Sequence, residues 1–217
     1  MKNARSPIAV LEALLKTPGR LIHELERNRQ SIVILPLVVF AIIGMAAYGV
    51  VVGTFAGRAQ IWIAPAKLVL GTMAAAVICL PSLYIFACLG GVDARLRTVT
   101  GVLFAGIALS ALLLIGFAPV AWIFSQSTES VAFMGALHIC LWLIAMSFGL
   151  RIVAAANRWL SGTRRSHTTM WSAIFVLVCL QMMTTLRPIV GKSESFLPAE
   201  KKFFLVHWLD TVAKTEK

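Results

Sequence analysis

"IVILPLVVFAIIGMAAYGVVVGTFAG" runs from Ile32 to Gly57 without a single charged side chain. About 20 apolar residues in a helix cross the ~30 Å hydrocarbon core of a bilayer. Inside lipid a helix satisfies its own backbone N–H and C=O groups, which an irregular segment cannot do. The run therefore reads as a transmembrane helix with length to spare for tilt. Gly44, Gly49 and Gly53, with Ala46 and Ala47, place small residues along it, including the spacing Gly49-x-x-x-Gly53. Such seams let two helix backbones approach closely. Packing against another helix of the same chain is favoured over dimerisation.

Composition extends that reading to the whole chain. Of 217 residues, 59% are apolar and 13% charged, whereas soluble domains are about half apolar and a quarter charged. The net charge of +11 comes from basic residues that flank apolar runs. They form no stripe with interleaved aromatics, so no nucleic-acid partner is expected. Cys79, Cys88, Cys140 and Cys179 all lie within apolar runs with no C-x-x-C pair; they read as packing residues, without disulfide or zinc ligation. The mixed, charged first 30 residues do not suit a cleavable signal peptide.

Four further apolar runs follow, at about 68–90, 98–123, 131–150 and 170–186. The expected fold is an all-α integral membrane protein with five transmembrane helices, over 31–187. Two of them should kink, at Pro81 and Pro119, because proline cannot donate to the carbonyl one turn back; Ser82 is placed to help satisfy the group that Pro81 frees. Residues 58–67 read as a short loop carrying Arg58, Trp62, Pro65 and Lys67. Residues 1–30 read as amphipathic helices on the membrane surface, with Ser6 as a cap, Ile8, Leu11, Leu14 and Leu15 on one face, and a break at Thr17-Pro18-Gly19. The tail, 188–217, carries a second amphipathic surface helix at 199–213.

Sorting the basic residues orients the chain. Twelve lie in the N-terminal segment and in the 90–98 and 151–170 connections, against two in the connections of the opposite face. By the positive-inside rule the N-terminus is cytoplasmic. Trp62 and Trp122 then fall near the outer interface, and Trp159 and Trp171 near the inner one. "LQMMTTLRPIVG" (Leu180–Gly191) decides the other end. The tail holds six basic and four acidic residues, so the fifth run either spans or is re-entrant. We favour an exit to the extracytoplasmic side, with Arg187 reaching the interface and Pro188 and Gly191 ending the helix. Gln181, with Thr184 and Thr185, reads as buried against other helices.

Chemistry is sparse. The apolar runs contain no Asp or Glu, which disfavours a proton-coupled pump. His138 is the ionisable group, cysteines apart, expected well inside a span, and it reads first as a satisfied core histidine. No second ligand at helical spacing accompanies any histidine, so no metal and no cofactor are expected. Ser82, Ser110 and Ser147 lie in no G-x-S-x-G context, and a Ser110–His138 pair would need a proximity that the sequence does not establish.

"AYGVVVG" (Ala47–Gly53), "LPSLYIF" (Leu80–Phe86), "FAPV" (Phe117–Val120), "LRPIVG" (Leu186–Gly191) and "KKFFLVHW" (Lys201–Trp208) give the chain a likeness to a known group. With the order of its features, it resembles the YIP (Ypt-interacting protein) membrane superfamily. More closely, it is similar to a bacterial family of small polytopic proteins often labelled actin-binding WASP-homology proteins. Ile189 stands where that family leads one to expect an aromatic. The resemblance implies a five-helix fold and no established catalytic activity. Eukaryotic YIP proteins are linked to trafficking through small GTPases; none of their functional residues maps here, and no actin-binding segment is recognisable.

The expected function is a non-enzymatic scaffold or accessory subunit of a larger inner-membrane complex. Its partners would be membrane lipids and other membrane subunits or further copies of itself. The alternative is a channel or transport component with Pro81 and Pro119 lining a path.

Overall fold

The computed structural model describes residues 6–26, 30–56, 60–92, 95–161 and 168–185. Among them it is all-helical: α1 (Pro7–Lys16), α2 (Pro18–Glu26), α3 (Gln30–Ala56), α4 (Gln60–Leu89), α5 (Leu96–Ser127), α6 (Val131–Ser161) and α7 (Thr168–Thr185). Four helices are long and apolar enough to cross a membrane, over Ile32–Phe55, Ile61–Leu89, Leu96–Ser127 and Val131–Leu160, while α7 is shorter. The chain is a polytopic membrane protein. Arg187 and the 199–213 segment lie outside the described residues.

The central helix is α5, packed between α3 and α6; α4 lies against α3, and α7 against α4. Small residues set these spacings. A Cβ on Gly44 would stand 2.8 Å from Ala111 Cβ on α5. On Gly106 it would stand 2.8 Å from the carbonyl oxygen of Gly149 on α6, and on Gly149 it would collide with that of Gly106 and with the Ser110 hydroxyl. Gly49 does the same for α3 and α4, where its Cβ would lie 2.5 Å from Pro65 Cα. Gly53 is buried in α3. At these crossings main chain meets main chain, and a helix interface has no more compact arrangement.

Helix ends differ from the sequence expectation in instructive ways. The connection between α3 and α4 is short: α4 begins at Gln60, so Pro65 and Lys67 are helical. Pro65 is the sixth residue of α4, beyond the first turn where a missing N–H costs nothing, so it withdraws the helical donor of the Ile61 carbonyl. α6 continues past Leu150 to Ser161, since arginines at a helix end can stay solvated in the headgroup layer. Pro36, Pro65, Pro81 and Pro119 all lie within helices. The Ser82 hydroxyl donates to the Cys79 carbonyl (2.8 Å) rather than to that of Val77. α4 stops at Gly90-Gly91. Gly91 adopts φ +82°, Gly91 N–H bonds Cys88 O and Val92 N–H bonds Ala87 O, the paired closure that left-handed glycine permits.

The N-terminal pair is docked on the bundle rather than lying free. Leu25 fills the notch over Gly101 of α5, and the Thr98 hydroxyl donates to the Leu25 carbonyl (3.5 Å). The His23 ring meets Trp159 of α6 edge-on at 6.1 Å. The apolar residues of α1 do not share one face: Val10 and Leu14 are buried, while Ile8 and Leu15 are exposed. Ser6 stands at the N-cap without a side-chain capping bond. Lys16 donates to Glu12 at 2.9 Å, which holds that carboxyl below the usual carboxylate range and the ammonium above its own. Trp171 is no belt residue: it is fully buried, stacks on Phe175 (5.1 Å) and donates to the Cys79 carbonyl at 3.2 Å.

The crossing between α5 and α6 makes a direct test possible. Gly149→Ala should destabilise the protein by about 1–3 kcal/mol, the usual cost of overpacking. Gly116→Ala, where a Cβ would meet nothing within 4 Å, should leave stability unchanged or raise it by up to about 1 kcal/mol through helix propensity. Unfolding in mixed micelles reads both; equal losses would contradict the close approach.

Candidate functional site

Polar groups inside the bundle gather at one depth. Tyr48 lies eight residues before the end of α3, Lys67 seven into α4 and His138 seven into α6. At 1.5 Å per residue each is about 10–12 Å from that end of its helix. α3 and α4 meet at this end through residues 57–59, and α6 begins there, so the three share a layer. The sequence reads with His138 alone within a span, cysteines apart, and Lys67 in a loop. That is corrected: Lys67 is a helical residue only 1% exposed. It lies on the buried stripe of α4 with Ala64, Leu68, Thr72, Ala75 and Cys79, spaced at three and four residues as one helix face requires. Trp62, 81% exposed and amphipathic, marks the interface five residues earlier, and this was the signal in the sequence that Lys67 lies within the span.

A side-chain contact links α3 to α6. The Tyr48 hydroxyl and His138 Nδ1 are 2.9 Å apart, with the rings edge-on at 5.7 Å. A phenol O–H is a better donor than a neutral imidazole N–H, and an imidazole nitrogen a better acceptor than a phenol oxygen. Tyr48 therefore donates, and the neutral ring carries its hydrogen on Nε2. That Nε2 has no partner, although His138 is only 7% exposed. One turn further along α6, Trp142 is 3% exposed and its Nε1–H is likewise unpartnered.

The remaining candidates lie apart from this layer. Ser110 donates to the Gly106 carbonyl (3.1 Å) and its oxygen is 3.9 Å from Met146 Sδ, so the structure does not pair it with His138. Gln181 is half-buried on α7, and Arg187 is outside the described residues. Pro81 and Pro119 are exposed at the bundle surface. Near the opposite end, Asn157 donates to Thr168 (2.9 Å) and ties α6 to the start of α7. Among the described residues no three His, Cys, Asp or Glu side chains come together as a metal would require. The four cysteines are free thiols, Cys79 and Cys179 buried, Cys88 and Cys140 exposed.

The fold and site thus define a helical polytopic membrane protein with a buried donor-rich layer near one face. No known family model, characterised protein or solved structure matches the chain.

Tyr48→Phe leaves His138 Nδ1 without its donor, and His138→Phe leaves the Tyr48 hydroxyl without its acceptor. Each should cost on the order of 1 kcal/mol, the scale of buried hydrogen bonds between membrane helices. The double variant should cost less than the two singles added. Strict additivity in unfolding experiments would show that the two side chains are not coupled.

Proposed function

We propose that the protein is a non-enzymatic scaffold or accessory subunit of a larger inner-membrane complex. The observation that carries this reading is the closed centre of the bundle. Where α3, α5 and α6 cross, main chain meets main chain at Gly44, Gly106 and Gly149, which leaves no aqueous path along those seams. A transport reading would run such a path past Pro81 and Pro119, and both are exposed on the surface instead. The same packing leaves apolar side chains facing outward for neighbours, among them Leu70, Val77, Ile78 and Ile85 on α4 and Ile174 and Leu177 on α7.

In this reading α7 is a fifth span. Its 18 residues reach about 27 Å, just short of the ~30 Å core. The docked α1–α2 pair then forms a cytoplasmic platform, with Ile8 and Leu15 exposed beside Lys16 and Arg20. The likeness to the YIP-related bacterial family is consistent with a five-span body without catalysis, and the tail after α7 would be extracytoplasmic.

Purification of the tagged protein from its own host in mild detergent, followed by mass spectrometry, tests the proposal. Stoichiometric membrane subunits should accompany it; a protein that repeatedly emerges alone would overturn the accessory role. Alkaline phosphatase fused after Lys217 should be active and a fluorescent protein at the same point dark. The reverse pattern would place α7 as re-entrant.

A further inference from the structure

α6 carries its two arginines on one face. Arg151 and Arg158 stand seven residues apart with Ala155 between them, and all three are exposed. Spacings of four and three keep them on one stripe of the helix. Phe148 and Ile144, also exposed, continue that stripe toward the middle of the span. The guanidinium of Arg151 lies over the Phe148 ring, its central carbon 5.8 Å from the ring centroid. That follows the lean of helix side chains toward the N-terminus, and it turns the charge toward the middle of the span.

Depth makes this placement costly without an anion. The apolar run 131–150 reaches about 30 Å, the thickness of the hydrocarbon core. Arg151 therefore stands at the hydrocarbon boundary, on the side where the His23 ring of α2 meets Trp159. A guanidinium at that edge is stabilised by a paired anion. Helices α3 to α7 hold no Asp or Glu. The described carboxylates on this side, Glu12, Glu24 and Glu26, face Lys16, Arg20 and His23. Among the described residues Arg151 thus has no anionic partner. The headgroup layer outside the core is about 5–8 Å thick. Ala155 lies about 6 Å beyond Arg151, and Arg158 about 10 Å, so lipid phosphates fall between the two arginines, at the level of a methyl side chain that leaves them room.

We propose that Arg151 and Arg158 hold the phosphate of one anionic phospholipid over Ala155, with its acyl chains running along Phe148 and Ile144. The phosphate oxygens accept from both guanidinium groups, whose planar forks suit them. A headgroup without a cation of its own is favoured, because an ammonium would be brought up against the same two arginines. This site does not depend on the accessory-subunit reading, since it requires no partner protein.

Equilibrium binding of tritiated dioctanoyl phosphatidylglycerol to the full chain in maltoside micelles tests it. Binding should saturate, and dioctanoyl phosphatidylcholine, whose phosphate stands beside a quaternary ammonium, should compete about fivefold less well. Arg151→Gln and Arg158→Gln should each weaken binding about fivefold, the effect of one cation removed from beside an anionic lipid. Arg151→Lys keeps the charge and should bind more tightly than Arg151→Gln. Ala155→Phe should block the site by filling the space between the arginines. Arg20→Gln, which removes a cation from α2, should change nothing, and inorganic phosphate, which lacks acyl chains, should not compete. Absence of saturable binding would overturn the proposal. So would equal competition by phosphatidylcholine, displacement by inorganic phosphate, or an Arg151→Gln variant that folds like the parent and binds equally well. An Arg20→Gln variant that loses as much as Arg151→Gln would also overturn it, since diffuse positive charge would then account for the binding.

Discussion

Everything in this molecule hangs on how closely α5 lies against α3 and α6. In a bilayer the hydrophobic effect does little to hold one helix to another, because lipid tails are as apolar as leucine. Association then depends on close van der Waals packing and on a few interhelical hydrogen bonds. The contacts of Gly44 with Ala111, and of Gly106 with Gly149 and Ser110, supply the first. Tyr48 with His138 supplies the second, reaching from α3 to α6. α4 joins through Gly49 and Pro65, and α7 joins α4 through the Trp171 indole.

That packing also decides where polarity can go. A centre closed by backbone contact has room for few side chains, so hydroxyls inside it bond the nearest carbonyls: Ser110 to Gly106, Thr72 to Leu68. Larger polar groups are displaced toward one end, where Tyr48, Lys67 and His138 share a layer. At the other end the space is closed from outside. Leu25 caps Gly101, and Asn157 with Thr168 joins the helices flanking residues 162–167. The bundle is thus tight in the middle, sealed by α1 and α2 at one end and polar near the other.

How far this was legible in the sequence follows from which forces act within one segment. The long helices could be read because a run such as Ile32–Gly57 meets the demands of lipid by itself. Their ends are less legible, because a charged side chain does not by itself mark the boundary of a span. Lys67 belongs to α4, and Arg151 and Arg158 to α6; a long cationic side chain does not have to leave the helix to find water or a partner. The split face of α1 was hidden for a different reason. Two opposite apolar stripes, Val10 with Leu14 and Ile8 with Leu15, merge into one in a ten-residue helix read without its neighbours. His138 was found as a lone polar residue, yet its partner Tyr48 is 90 positions away, and no local pattern pairs residues across that distance. The small-residue positions could be named, but which helix each one meets is a property of the assembled bundle.

The most direct measurement is magic-angle-spinning NMR of the full chain in lipid bilayers, with glycine and alanine carbons labelled. The account requires through-space cross-peaks between Gly44 Cα and Ala111 Cβ, and between the α-carbons of Gly106 and Gly149. Both present would establish the closed centre in a bilayer. Their absence, with cross-peaks within each helix intact, would mean that α5 stands apart from α3 and α6, and the account of this bundle would fail.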